Sequence, residues 1–265
     1  MAARDPFRAV SLDLWFTSLY YRSEEERFWE EDRRRALGGI LRTRSGSRLP
    51  TPDLAAAMER VEERLRARGL DRSRVDPRVV VAECAIAAGA ELTVSVEEGA
   101  RRVSAAGLAD HPPTVNPELF EVVRALEGEG VPVVAITNTA RRGDTWLEFF
   151  RSRANLRFDD VITSCEFGRP KPEPGIFFEA ARRLGVAPSE ILHVGDRREL
   201  DIDGARRAGC GAALYRGLWH SYPPGMHPET DPAPVDDPDL VTFDHLGEIL
   251  PYLRERGPRP GSRAP

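Results

Sequence analysis

The sequence predicts an α/β fold, a doubly wound parallel sheet of Rossmann-like type with a helical segment inserted after the first strand. Three observations predict it. Four short apolar runs, at residues 9–14, 131–137, 191–194 and 212–215, lack the alternation of a half-buried strand, as expected where helices cover both faces of a sheet. Helical stretches separate the later runs, which is the alternation that builds parallel strands through crossover helices. Between residues 18 and 113 this alternation stops, and helix signals follow one another with no convincing strand.

Taken in order, the first run, AVSLDL, ends at Asp13 and Leu14. Ser23 and Glu26 have capping-box spacing. Thr51 and Pro52 open a helix whose Leu54, Met58, Val61 and Leu65 share one face, and Ser95 with Glu98 makes a second box. Because this helical segment follows the first strand directly, it should lie over the C-terminal edge of the sheet, where open α/β folds bind ligands. Residues 116–130 read as a helix with an Asn cap, proline in the first turn and glycine at the stop. Residues 173–184 and 201–208 read similarly. Residues 219–239, rich in Pro, Asp and His, read as a long loop, after which 240–253 returns to the core. The expected division is a core of residues 1–18 and 113–253, a helical unit of 19–112, and a mobile tail of 254–265.

Composition sets the outer limits. A chain of 265 residues with 41% hydrophobic content can bury one sizeable core and a second, smaller one. The net charge of -5 comes from interspersed acids and arginines, so no basic stripe favours nucleic acid. No apolar run is long enough to span a bilayer, and the first residues lack the order of a signal peptide. The expectation is a cytoplasmic protein with no membrane partner; its oligomeric state is not written in the sequence. Cys84, Cys165 and Cys210 lie far apart without CxxC spacing and read as small buried side chains. Of 38 basic residues, 37 are arginine and one, Lys171, is lysine. An ammonium is a compact point charge where a guanidinium is a wide fork, so the place of the single lysine carries information.

Four segments end at predicted strand edges. In AVSLDLWFTSL, Asp13 leaves the first strand and Thr17 follows; a carboxylate there can attack as a nucleophile while helping to bind a cation, although a turn or cap role is the ordinary one. In VVAITNTA, Thr137 and Asn138 offer a hydroxyl and a backbone N–H to a phosphoryl oxygen, or a helix cap. In FGRPKPEPGIF, prolines on both sides of Lys171 stiffen the backbone and present its ammonium from a turn. Such a charge beside an attacking carboxylate neutralises charge on a transferring group. In ILHVGDRRELDIDGARRAG, Gly195 and Asp196 end a buried strand, Asp201 follows five residues on, and Gly204 lets the next helix pack closely. Hard oxygen donors at this spacing suit Mg2+.

Together, in this order, the four segments resemble the motifs of the haloacid dehalogenase-like superfamily. The resemblance covers the core from Asp13 to Gly209. It implies Asp13 as the nucleophile, which forms a covalent intermediate. Thr17, Thr137, Asn138 and Lys171 would be contacts to the phosphate of a small phosphorylated substrate. It implies Asp13, Asp196, Asp201 and the backbone carbonyl of Trp15 as the surroundings of Mg2+, with Asp201 assisting. The helical insertion resembles the cap that closes such sites.

The resemblance breaks at one residue. Phosphatases of this family carry a second aspartate two residues after the nucleophile, which protonates the leaving oxygen; here it is Trp15. An indole donates one hydrogen bond and has no usable acidity. General acid assistance contributes about 10² to 10⁴ in rate, roughly 3 to 5 kcal/mol of barrier. Three readings follow. The first is a Mg2+-dependent phosphohydrolase favouring activated substrates such as acyl phosphates, or using an acid from the cap, with Tyr20, Tyr21, Glu24 and His220 as candidates. The second is a 2-haloacid dehalogenase; those relatives also have an aromatic residue here, but lack the acids that Asp196 and Asp201 supply. The third is a non-catalytic phosphate-binding or partner-binding protein. Of the remaining residues, His193 reads as a satisfied core histidine, Arg33, Arg34, Arg35, Arg206 and Arg207 as solvated helix faces, and Trp29 and Trp219 as packing groups.

Overall fold

A computed structural model describes residues 7–21, 26–219, 237 and 239–256. In chain order the strands are β1 (Ala9–Leu12), β2 (Leu19–Tyr20), β3 (Leu41–Arg42), β4 (Glu91–Leu92), β5 (Thr114–Val115), β6 (Val133–Thr137), β7 (Asp160–Thr163), β8 (Ile191–Gly195), β9 (Gly211–Tyr215) and β10 (Val241–Phe243). Six of them form one parallel sheet in the order β10-β9-β8-β1-β6-β7. The first strand is therefore central, and the chain builds outward on one side of it before crossing to the other. That reversal opens a crevice at the C-terminal ends of β8, β1 and β6, the place where such sheets take ligands.

Alternate residues of the same strands feed two apolar layers, which is why the runs look continuous. Val10, Leu12, Val133 and Ala135 pack with Leu119, Val122 and Leu126 of α5 (Pro117–Glu129) and with Trp146 of α6 (Gly143–Phe149). Ala9, Val134, Ile136 and Ile191 pack on the other side with Ile176 and Phe177 of α8 (Pro174–Leu184) and Ala205 of α9 (Gly204–Arg207). The short α7 (Ser164–Phe167) follows β7, and α10 (Ile249–Arg256) closes the first layer through Ile249 and Leu253.

Between β1 and β5 the chain folds into α1 (Glu26–Ile40), α2 (Thr51–Ala67), α3 (Pro77–Ala88) and α4 (Val96–Ala105) around a separate apolar cluster. The stripe of Leu54, Met58, Val61 and Leu65 is buried against Leu37, Ile40, Val81 and Cys84. Ser95 caps α4 by accepting from the Glu98 N–H, and Asn116 caps α5 in the same way through Glu118. Ser23, the first residue of the other capping box, lies outside the described residues, as do Glu24, His220 and most of the 219–239 loop.

The structure differs from the sequence reading at short elements. Segment 18–113 does contain short strands: β3 pairs with β4 within it, and β2 pairs with β5 just beyond its end. Two-residue strands carry no periodicity from which to predict them. Edge strands β7 and β10 were also not anticipated; each has a single sheet neighbour and is too short to stand out. The helix expected at 201–208 is split into a π-type turn over Arg198–Asp203 followed by α9, because this turn brings Asp201 back beneath Gly195. Finally, α10 runs to Arg256, past the point where a mobile tail was expected to begin, and Arg254 pairs with Glu129.

Candidate active site

The site begins at the end of β1. The Asp13 N–H still bonds to the Val194 carbonyl at 2.9 Å, so its backbone is held by the neighbouring strand. The chain then turns sharply: Ser18 Oγ donates to the Asp13 carbonyl at 2.7 Å, and Phe16 adopts a left-handed conformation with φ of 55°. A bulky residue in that region is strained, and such strain clusters at functional turns. The hydrogen bonds that close the turn fall on the Leu14 and Leu19 carbonyls.

Lys171 reaches this turn from the opposite side. Its backbone is gripped by Asn138 through a reciprocal pair: the Lys171 N–H donates to Asn138 Oδ1 at 2.8 Å, and Asn138 Nδ2 donates to the Lys171 carbonyl at 2.9 Å. The ammonium, buried at 3% exposure, lies 2.7 Å from Asp13 Oδ1 and 2.6 Å from Asp201 Oδ1. Asp201 in turn accepts from the Arg197 N–H through Oδ2 at 2.9 Å and approaches His193 Nε2 at 3.3 Å through Oδ1. Gly195 makes this approach possible, since a Cβ there would stand 2.3 Å from the Asp201 carboxyl carbon.

Oxygens of Asp13, Asp196 and Asp201, all buried, lie within 4.8 Å of one another. Burial pushes the Asp13 carboxyl up to about 6; the Asp201 charge adds to this and Lys171 opposes it. For Asp201 burial acts in the same direction, but Lys171 and His193 outweigh it and hold the group below the ordinary carboxylate range. Burial would lower Lys171, yet the two carboxylates prevail and raise it, so it is charged. Three carboxylates around one ammonium leave negative charge in a nearly dry site. That arrangement, and hard oxygen donors alone, fit Mg2+. Asp201 has hydrogen bonds on both oxygens, which suits support better than primary ligation.

The hydroxyls of Thr17 and Thr137 complete the picture. Both are fully buried, and neither Oγ1 finds a hydrogen-bond partner among the described residues. Buried orphan hydroxyls cost stability unless a ligand meets them; Thr17 lies in the turn that follows Asp13, and Thr137 ends β6, the strand beside β1. The Asn138 side-chain amide is committed to the Lys171 backbone, which leaves the backbone N–H, the group the sequence reading pointed to, as its means of meeting a phosphoryl oxygen.

At position 15 the structure shows what the missing acid was exchanged for. The Trp15 ring stacks on Tyr21 at 4.8 Å and meets Trp29 and Trp146, each at 5.6 Å. Trp29 belongs to α1 and Trp146 to α6, so Trp15 joins the helical segment to the sheet layer. Next to it, and not singled out from the sequence, lies Arg141. It is 2% exposed, stands 4.2 Å from the Trp29 ring centre, and donates through Nη1 to the carbonyls of Ser104, in the last turn of α4, and Ala106, just after it. Burial, with Arg33 nearby, lowers it to about 9. Among 37 arginines its residue type does not distinguish it, and its position four residues after Thr137 was the only signal.

A buried carboxylate beside a fixed lysine, with two further acids, stands at the C-terminal edge of the parallel sheet, the constellation a hydrolase site would need. Residues 81–209 match the model of the haloacid dehalogenase-like hydrolase family. The glyceraldehyde 3-phosphate phosphatase of Methanopyrus kandleri is 34% identical over 52% of this chain and 56% of its own length. The phosphoglycolate phosphatase of Escherichia coli is 29% identical over 52% of this chain and 50% of its own. The chain thus spans about half the length of the curated relatives it matches. Among solved structures, the 2-haloacid dehalogenase of Pseudomonas syringae aligns with a TM-score of 0.57 and 21% identity, covering 94% of this chain and 99% of that one. The HAD phosphatase of Thermococcus onnurineus aligns with a TM-score of 0.52 and 21% identity, covering 93% and 98%. At that identity the two structures establish the shared fold. Residues 81–209 belong to the haloacid dehalogenase-like hydrolase superfamily.

Proposed function

We propose that the chain is a Mg2+-dependent phosphohydrolase acting on a small phosphorylated substrate through an aspartyl-phosphate on Asp13, with segment 19–112 as the cap over the site. The observation that carries this reading is the meeting of Asp13, Lys171, Asp196 and Asp201 beside the two unpartnered hydroxyls of Thr17 and Thr137. The phosphatase names of the relatives support the substrate class.

The residues divide the work as follows. Asp13 Oδ1 is held by the Leu14 N–H at 2.7 Å and by Lys171, which leaves Oδ2 as the freer oxygen for attack on phosphorus. Two N–H directions of Lys171 go to Asp13 and Asp201, and the third remains for an oxygen of the transferring group. The Thr17 and Thr137 hydroxyls can donate to the same group. Mg2+ would be held by Asp13, Asp196 and the Trp15 carbonyl with Asp201 in support, and when bound it would neutralise charge on the phosphoryl oxygens.

Because Trp15 supplies no proton, the leaving oxygen departs as an anion. An acyl phosphate, whose leaving carboxylate is stable unprotonated, meets that condition where an alkyl phosphate does not. Among the described candidates for a cap-supplied donor, Tyr21 is the one whose ring stacks on Trp15.

The test is turnover of acetyl phosphate and p-nitrophenyl phosphate by wild type and Asp13→Asn, with Mg2+ or with EDTA. Hydrolysis that favours acetyl phosphate, stops in EDTA and vanishes in the variant is the expected result. Metal-independent chloride release from 2-chloropropionate would replace this reading with a dehalogenase. Binding of Mg2+ and phosphate without either reaction would replace it with a non-catalytic role.

A further inference from the structure

The buried histidine of β8 is satisfied, as a core histidine must be, but its partners give it a further part. Ser11 on β1 and His193 on β8 are paired in sheet register and point into the apolar layer between the sheet and α8. There Ser11 Oγ lies 2.9 Å from His193 Nδ1, and the Phe177 ring meets the imidazole edge-on at 5.0 Å. Both residues are 0% exposed. A serine and a histidine in such a layer are costly unless each polar atom is bonded, and a purely apolar pair would fill the space without that constraint. What the pair supplies is a donor beneath Asp201.

The direction of the chain follows from chemistry. Asp201 is a carboxylate and only accepts, so His193 Nε2 carries the hydrogen that it directs at Asp201 Oδ1. In the neutral ring Nδ1 then accepts, and Ser11 Oγ–H is its donor. Burial lowers His193, in keeping with the neutral ring. Asp201 Oδ1 thus receives both His193 and Lys171, while Oδ2 receives the Arg197 N–H. Three donors on two oxygens hold the plane of the carboxylate, and that plane fixes where the Lys171 ammonium stands between Asp201 and Asp13.

We propose that Ser11 and His193 are positioning residues: the serine holds the histidine tautomer, the histidine holds Asp201, and Asp201 aims Lys171 at the group transferred to Asp13. The proposal rests on the phosphohydrolase reading for its kinetic consequence, but not for its structural one. Lys171 is the single lysine of the chain, so 15N-lysine labelling yields one ζ-ammonium resonance, an activity-independent view of this site.

The experiment compares wild type, His193→Leu, His193→Gln and Ser11→Ala, each first shown to be folded by its melting curve. In wild type a slowly exchanging Lys171 ammonium signal is expected. His193→Leu should speed its exchange and lower kcat by about ten- to a hundredfold with KM for acetyl phosphate little changed, as for a misplaced catalytic group. His193→Gln, which retains an N–H donor, should restore most of both, and Ser11→Ala should shift both in the same direction as His193→Leu but less. An unchanged ammonium signal in folded His193→Leu would overturn the proposal, as would failure of His193→Gln to recover it. If His193→Leu does not fold, Ser11→Ala decides by the same criterion. If wild type shows no turnover, the phosphohydrolase reading falls while the ammonium signal still decides this one.

Discussion

Neutralising Asp13 should make the metal-free protein more stable, although it removes the proposed nucleophile. The folded structure raises this carboxyl from 3.8 to about 6 through burial and the neighbouring Asp201 charge. Between those values the native state binds a proton that the unfolded chain has released, so stability falls as pH rises through this window. Above pH 6 the whole penalty is present, and below about 3.8 it is absent. The difference corresponds to about 3 kcal/mol, at roughly 1.4 kcal/mol per pH unit. Asp13→Asn keeps the shape and removes the charge, and Lys171 retains Asp201 as a partner at 2.6 Å. In EDTA at pH 7.5 the variant should therefore melt higher, by roughly 6 to 12 °C for a chain of this size. The gain should shrink as the pH is lowered towards 4. Added Mg2+ should raise the wild-type midpoint more than the variant's, since the cation takes over the neutralising role. Melting curves followed by tryptophan fluorescence, at pH steps from 4 to 8 with and without Mg2+, give the answer. A variant no more stable than wild type at pH 7.5, or a gain independent of pH, would refute the account of charge in this site.

Three other outcomes are expected. Trp15→Asp puts a carboxylate two residues after Asp13 and should raise turnover of an unactivated alkyl phosphate ester at least tenfold relative to acetyl phosphate; no gain in a folded, Mg2+-binding variant would count against the missing-acid argument. Asn138→Ala removes both bonds that grip the Lys171 backbone and should destabilise the protein by roughly 1 to 3 kcal/mol in urea titration while lowering kcat. Arg141→Met strips the donor from the Ser104 and Ala106 carbonyls, and a loss of roughly 1 to 3 kcal/mol in the same titration is expected; an unchanged midpoint would show that α4 does not depend on this contact.

Much of the site could be read residue by residue because each member lies at the end of an apolar run. Asp13, Thr137 and Asp196 were placed by the ends of short apolar runs, and Lys171 by being the one ammonium among guanidiniums. Trp15 was legible as a departure but not as a packing residue, since the rings it meets, Tyr21, Trp29 and Trp146, are spread over more than a hundred positions. Arg141 was hidden by the abundance of its own type. The π-type turn at Arg198–Asp203 was hidden because its cause, the reach of Asp201 towards Lys171, is a contact across 30 positions.

By itself, then, the sequence determined the fold class, the first strand with Asp13 at its end, and the kind of chemistry its acids and single lysine can support. Local pattern suffices for these, because burial on two faces and strand-end placement are properties of short segments. Only the tertiary structure decided that Asn138 serves the Lys171 backbone, that Asp201 is held by His193 and the Arg197 N–H, and that the acid's position was given over to an aromatic cluster. Those outcomes depend on which of many distant donors and rings come within 3 to 6 Å of one another, a matter of register and close packing that no window of sequence contains.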